Sequence, residues 1–252
     1  MNIIEQVAIG LVPIIIGFIA GRVWERAKLL LKFNYIRRLI AGQGRIQIVV
    51  SSVEISRFKS SSEGSGVISH VQVPPNVLYM PMPEGRAIAK LTSLLHKVNP
   101  KIRVQLVTPQ HHDPEIPTLS IGGPSVNTFS GKILSADFPE FRIEYPATRR
   151  ARYGGQFFET HRDSSNMIIR DYGFIFLTRT ARGAPCLVLC GIRAFGTAMA
   201  VELLGKLPTR SEAAKLIRQG RKSLIVAEGR VDGLEEAAVS LAFCREVHDE
   251  RR

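Results

Sequence analysis

Two stretches of the chain set a short apolar run against glycine and then pass into a helix-forming segment. They are TLSIGGPSVNTFSGKILSA (118–136) and CLVLCGIRAFGTAMAVELLG (186–205). Where a strand gives way to a helix, the first-turn N–H groups lack intrahelical partners. Glycine lets the backbone approach a ligand closely or adopt positive φ, and the helix dipole favours negative charge there. Gly122, Gly123, Ser125 and Asn127 are therefore the candidate ligand-binding residues of the first turn. Gly191, Arg193, Gly196 and Thr197 are those of the second, with Arg193 a charge partner and Thr197 an N-cap. If the two strands are neighbours, both turns face one edge of the sheet, where open α/β sheets bind ligands. The alternative is that chain geometry alone requires the glycines. Neither stretch is a P-loop or a G-x-G-x-x-G fingerprint.

Other residues with chemical potential are fewer. Asp171, in IIRDYGF, interrupts an apolar run and is a candidate base or ribose-hydroxyl acceptor, or else a turn aspartate before glycine. His111, His112 and Asp113 stand together in QHHDPE, which makes His111 and Asp113 further catalytic candidates. Adjacent histidines project differently, and without an H-x-x-x-H or C-x-x-C partner no metal site is expected. Cys186 and Cys190 fall on one strand face as small core residues. Arg149, Arg150 and Arg152 lie between Tyr145 and Tyr153 and suit phosphate or a single strand. No nucleic-acid-binding signature accompanies them, so nucleic acid is not the expected partner.

The segments SIGGPSVN and GIRAFGTAMAVELL resemble the glycine-bearing turns of Rossmann-like nucleotide-sensing modules, the SLOG type among them. The likeness covers residues 102–207. It implies a nucleotide-derived ligand and the setting of a bacterial membrane-tethered or defence-associated protein.

Positioning these turns requires a layered scaffold. GRIQIVVSSVEI (44–55) reads as a strand and RFKSSSEGSGVISHVQVPPN (57–76) as a loop. PEGRAIAKLTSLLHKVNP (83–100) carries a helical stripe of Ala87, Leu91, Leu94, Leu95 and Val98, with Glu84 near its start. KIRVQLVTP and TLSIGG are strands, and VNTFSGKILSA a weak helix. FRIEY, GGQFFETHR and NMIIRDYGFIFLTRT read as strands, the last broken at Asp171-Tyr172-Gly173. APCLVLCG is a buried strand, and TAMAVELLGKL and TRSEAAKLIRQG are helices, the second capped by Thr209 or Ser211 and closed by Gly220. KSLIVAEGRVDG and EEAAVSLAFCREV form a hairpin at Asp232-Gly233, unless the second piece is helical. The expectation is an α/β domain with a mixed, largely parallel Rossmann-like sheet and antiparallel additions, over 44–252.

Ahead of it lies a different kind of segment. From Gln6 to Gly21 there is no charge, and flanking apolar residues extend the run toward the roughly 20 residues a membrane helix needs. Arg22, Arg26, Lys28, Lys32, Arg37 and Arg38 follow, with Glu25 the one acid among them, which places the C-terminal side in the cytoplasm. Residues 1–25 are thus expected as a single-pass transmembrane anchor in the plasma (inner) membrane, and 26–43 as a basic juxtamembrane helix near anionic lipid headgroups. That cluster also accounts for part of the net charge of +12. Hydrophobic residues at 45% and charged ones at 22% exclude a disordered chain. Three cysteines cannot all pair, which fits a reducing compartment.

Three functions follow as expectations: a membrane-anchored sensor or effector binding an anionic nucleotide-like ligand, a hydrolase or transferase on the same scaffold, or a non-catalytic assembly protein. Self-association is compatible with each, and no cofactor is indicated.

Overall fold

A computed structural model of the protein describes residues 3–40, 42–50, 80–144 and 150–248, with side chains described from residue 17 onward. The chain opens with helices α1 (Ile3–Lys32) and α2 (Asn34–Leu39), then strand β1 (Arg45–Val50), helix α3 (Met82–Val98), strands β2 (Arg103–Val107) and β3 (Thr118–Ile121), and helix α4 (Thr128–Asp137). Strands β4 (Arg142–Glu144), β5 (Arg150–Tyr153), β6 (Gln156–Glu159), β7 (His161–Arg162), β8 (Ile168–Arg179) and β9 (Pro185–Gly191) follow. Helices α5 (Ala194–Lys206) and α6 (Glu212–Gln219) precede the closing hairpin of β10 (Ser223–Asp232) and β11 (Glu235–Glu246).

The main sheet has the order β2-β1-β3-β9-β8-β10-β11, with β7 added beside β8. Strands β2, β1, β3 and β9 are mutually parallel, and β8, β10 and β11 extend the sheet antiparallel. Ile46, Ile48, Val49 and Val50 suit a parallel strand covered on both faces, and all are buried. One face carries α2, α3, α5 and α6 over an aliphatic core that includes Leu91, Leu95, Leu189, Met199 and Ile217. The other carries α4 and the small sheet β4-β5-β6 over an aromatic core. There Phe141 and Phe138 meet Phe176 edge-on, at 4.7 and 4.8 Å between ring centroids. The mixed α/β class is as expected, and each of the predicted helices from α3 to α6 forms.

Several expectations are corrected. β8 runs unbroken through Asp171-Tyr172-Gly173, because Asp171 is buried and hydrogen-bonded rather than turned out. The final piece is a strand, paired along β10 with two register irregularities. The predicted 44–55 strand is described only as Arg45–Val50, and the 57–76 loop lies outside the described residues.

α1 is one continuous helix to Lys32 and runs through residue 25, the expected end of the anchor. Among the described residues no helix is long and apolar enough to cross a membrane. The side chains of the first sixteen residues, which carry most of the uncharged run, lie outside that description. The end of the basic segment belongs to the domain: Phe33, Tyr35, Ile36, Leu39 and Ile40 are buried in the aliphatic core. The Tyr35 hydroxyl donates to the Leu204 carbonyl at 2.6 Å, fixing α2 to the far end of α5.

Helix α5 sits unusually close to the sheet. A Cβ on Gly196 would lie 2.0 Å from the Tyr172 carbonyl oxygen, one on Gly173 2.1 Å from the Gly196 carbonyl oxygen, and one on Gly191 2.4 Å from the Thr197 nitrogen. All three obstacles are backbone, so no side chain can yield. Gly196→Ala or Gly173→Ala is therefore expected to cost about 3 kcal/mol or more, or to abolish folding. Gly205→Ala, whose Cβ would meet Leu94 at a comfortable 3.9 Å, is expected to stabilise by up to about 1 kcal/mol. Chemical denaturation of the three variants checks the contrast.

Candidate functional site

The two glycine turns lie side by side. β3 and β9 are parallel neighbours with Ile121 opposite Leu189. Gly122 N–H donates to the Leu189 carbonyl at 3.0 Å, and a Cβ on Gly123 would stand 3.8 Å from the Gly191 carbonyl oxygen. Both turns are therefore at the carboxyl edge of the parallel strands. Strand order also reverses here: β1 has β2, reached through α3, on one side and β3 on the other. A crevice at such a reversal is where open α/β sheets place ligands.

Within this edge the expected residues separate into two kinds. Asn127 is the N-cap of α4, accepting from Phe129 and Ser130 N–H at 3.1 and 3.3 Å. Its amide donates to Ser120 Oγ at 3.0 Å and to the Ile121 carbonyl at 2.9 Å, so it ties α4 to β3. Being fully buried and saturated, it is a structural cap, not a ligand donor. Thr197 is not the cap of α5; that position is Arg193, whose side chain makes no capping bond, and Thr197 is buried inside the first turn. Gly196 and Gly191 are occupied by helix–strand contact, as the close approaches above require.

Asp171 supplies what the second turn lacks. Its carboxylate accepts from Gly196 N–H at 2.7 Å, from Tyr172 N–H at 2.9 Å and from the Thr160 hydroxyl at 3.0 Å, with Arg193 N–H also directed to it. The positive end of α5 is thus neutralised by the protein's own anion. Burial raises the Asp171 pKa to about 6, and those hydrogen bonds oppose the rise. A carboxylate with this many donors is a poor base and has no room for a ribose.

In the first turn Gly122 and Gly123 are buried. Gly122 has φ +101, a conformation that favours glycine, and Ser125 is exposed. The N–H groups of Gly123 and Ser125, on either side of Pro124, have no hydrogen-bond partner among the described residues. Such paired donors in a turn form an anion-binding concavity. Arg193 lies half-buried on the adjoining turn.

Sequence reasoning missed Glu84 as a site residue. It occupies the third position of α3, is 6% exposed, and its Oε1 would be 3.7 Å from a Cβ on Gly122. No hydrogen bond or ion pair to its carboxyl exists among the described residues. Burial pushes its pKa up to about 7. The N-terminal end of α3 is held by charge: Arg86 pairs with Glu235 and Glu236 at 3.5 and 3.2 Å, and Lys90 with Glu202 at 3.0 Å and with Glu236. These contacts clamp the tip of the β10–β11 hairpin onto α3. Burial alone would lower the Lys90 pKa, yet the hydrogen bonds to Glu236 and Glu202 keep it raised.

The histidine cluster spans from the end of β2 to the start of β3. Asp113 N–H donates to the Gln47 side chain at 3.1 Å, Asp113 faces Arg45 at 3.7 Å, and His112 Nε2 bonds Thr118 Oγ1 at 2.9 Å. His111 meets Thr108 Oγ1 at 2.8 Å. Asp113 is thus held at the start of β1, whereas Thr108 directly follows Val107 at the carboxyl end of β2 and carries His111 there, and the His112 ring lies 4.3 Å from that of Phe129 in the first turn of α4. Burial lowers the His112 pKa, against the opposing charge of Asp113. No group of three or more His, Cys, Asp and Glu able to hold a metal occurs among the described residues. Cys186 and Cys190 are buried with raised pKa values, inert as nucleophiles. Of the basic cluster, Arg150 pairs with Glu144 at 2.6 Å, while Tyr145 and Arg149 lie outside the described residues.

No protein-family model, curated protein or solved structure matches the chain.

Two outcomes follow. Asp171→Ala strips four donors of their acceptor and is expected to destabilise the fold by about 2–4 kcal/mol in denaturant unfolding. Glu84 carries a pH signature, since its folded pKa of about 7 exceeds the ordinary 4.5. Across that interval the native state holds a proton the unfolded state has released, so stability falls as pH rises. Glu84→Gln removes the loss. Its unfolding free energy is expected to exceed the native chain's increasingly between about pH 5 and about pH 8, by up to about 3 kcal/mol. A difference that is flat with pH contradicts the assignment.

Proposed function

We propose that the protein is a membrane-anchored sensor or effector whose α/β domain binds an anionic, nucleotide-like ligand in the crevice between β1, β3 and β9. The observation that carries this reading is the adjacency of the two glycine turns at a reversal of strand order. The anion is assigned to the Gly122–Ser125 turn, with Arg193 as its cationic neighbour, and not to the N-terminus of α5. In the enzyme alternative Asp171 is weakened as a base by its saturated carboxylate, which leaves His111 and Asp113, with Glu84, whose pKa of about 7 suits acid–base chemistry, as an addition.

The anchor reading is supported by α1. Phe18, Ile19, Val23 and Trp24 are each more than half exposed along it, and it meets the core only from Leu29 onward. Exposed apolar side chains in such a row are covered by lipid or by another protein. Arg22, Arg26 and Lys28 stand exposed on the same helix, as they would near anionic headgroups. The C-terminal domain is then cytoplasmic, by the excess of basic residues on its side.

Cell fractionation tests the anchor: the full chain is expected in membranes after a carbonate wash, and recovery in the soluble fraction overturns it. Thermal unfolding of the detergent-solubilised chain against mononucleotides and cyclic nucleotides tests the site. A ligand at a hundredfold excess over Kd is expected to stabilise by about 2.7 kcal/mol, and Arg193→Ala to weaken it at least about tenfold. Absence of any response across the panel favours the assembly reading instead.

A further inference from the structure

A second opening lies at the other edge of the sheet. Lys222 and Val247 close the base of the β10–β11 hairpin, with Val247 N–H donating to the Lys222 carbonyl at 2.8 Å. The next residue, Ser223, stands opposite Leu177, and Leu177 is opposite Leu187 near the start of β9. This is the amino edge of the parallel strands, across the sheet from Gly122 and Gly191. There the ends of α4, β5 and β11 border a cleft of about 710 Å³, a volume usual for small-ligand sites. Its walls include Phe138, Pro139 and Val247, and the Phe138 ring belongs to the aromatic core.

Much of the charge around the cleft is already engaged. Asp137 accepts from the Thr178 hydroxyl at 2.6 Å, Glu246 pairs with Arg221 at 2.8 Å, and the Lys222 ammonium lies 5.5 Å from the centre of the Phe138 ring. Beyond these and the exposed His248, three polar side chains stand at the cleft. Tyr153 is 5% exposed, its hydroxyl makes no hydrogen bond among the described residues, and that oxygen is not sealed from solvent. The hydroxyl therefore opens into the cleft that the residue lines. Glu140 and Arg245 are exposed, and their side chains form neither a hydrogen bond nor an ion pair among the described residues. Yet the two come close. Gly154, next after Tyr153 and at φ +53, would carry a Cβ 3.3 Å from Arg245 Nη1 and 3.4 Å from Glu140 Oε2. An acid and a base thus face each other across space that a side chain would fill. The phenol feels both charges: burial raises the Tyr153 pKa, Glu140 adds to the rise and Arg245 opposes it.

Charge decides what could use these groups. A simple anion drawn to Arg245 would also meet Glu140, and a simple cation the reverse. A metal ion would lack ligands, since no group of three or more His, Cys, Asp and Glu able to hold one occurs among the described residues. A molecule with both signs on neighbouring atoms answers the acid and the base at once, and the phenol can donate to its anion. The apolar walls alongside suit an apolar remainder. We infer that this cleft binds a zwitterionic α-amino acid with a large apolar side chain. Arg245 and the Tyr153 hydroxyl take the carboxylate, Glu140 takes the ammonium, and the side chain lies against Phe138, Pro139 and Val247. The site is separate from the crevice at the glycine turns and does not rest on the nucleotide reading.

The test titrates the full chain in detergent, by calorimetry, with L-phenylalanine, L-leucine and glycine, and with the N-acetyl and amide forms of the first two, each of which lacks one charge. The native chain is expected to bind phenylalanine or leucine, and to bind its single-charge forms about tenfold or more weakly, the worth of a charge-assisted hydrogen bond. Glycine, without the apolar side chain, is expected to bind about tenfold or more weakly as well. Glu140→Gln is expected to shrink the penalty of N-acetylation to about twofold or less, and Arg245→Gln to do the same for the amide. Both side chains are exposed, so each variant is expected to keep the native melt. Tyr153→Phe is expected to weaken binding about threefold to tenfold. Failure of both phenylalanine and leucine to bind overturns the inference, as does equal binding of the single-charge forms. Charge preferences that survive both substitutions put the binding elsewhere and overturn the site, and an unchanged affinity in Tyr153→Phe overturns the role of the hydroxyl.

Discussion

Helix α5 meets strands β8 and β9 with only glycine between the backbones. Gly173, Gly191 and Gly196 each face main-chain atoms where any Cβ would clash. The approach brings the first turn of α5 over Asp171, and the carboxylate answers the N–H groups that the short distance would otherwise strand without water. Sterics and hydrogen bonding are therefore coupled: the glycines permit the contact, and Asp171 satisfies it. Because α5 packs against α3, the same contact sets where α3 begins and hence where Glu84 enters the crevice.

A second set of forces holds α3 from the opposite direction. Glu236 is almost wholly buried, 2% exposed at its side chain, and a carboxylate so placed is tolerable only with cations beside it. Arg86 and Lys90 provide them, one helical turn apart on α3, and Lys90 passes the connection to Glu202 on α5. The hairpin tip, α3 and α5 are thereby joined at the edge that carries the glycine turns. At the other end of α5 the Tyr35–Leu204 hydrogen bond attaches α2, which continues from α1. The helix that floors the second turn is thus also the helix to which the N-terminal segment is tied.

Much of this architecture was legible in residue periodicity, because local patterns of two and three-to-four report which face of an element is buried. The stripe of α3, the apolar run of β9 and the Ser211 and Gly220 boundaries of α6 all follow from neighbours in sequence. What failed depended on distant partners. Asp171 reads as a strand breaker until Gly196 and Thr160 are seen to bond it. The amphipathic segment around Ile36 would look the same facing lipid or facing α6, and it faces the domain. Asp113 precedes Gly122 closely in sequence, but its partners Gln47 and Arg45 belong to the start of β1, and His111 bonds Thr108 directly after β2.

The two buried carboxyls at this edge show how one residue type takes opposite parts. Both have raised pKa values with burial as the leading cause. Asp171 is opposed in that shift by four hydrogen bonds, so its charge is already matched and its position is explained by α5 alone. Glu84 has no such opposition: burial is its sole cause. No hydrogen bond or ion pair among the described residues uses the Glu84 carboxyl. Proline at the N-cap compounds the deficit by removing the nearest donor. The packing of α5 therefore accounts for Asp171, whereas the raised pKa of Glu84 comes from burial alone. The asymmetry separates a carboxyl that the packing of α5 requires from one that this packing does not explain.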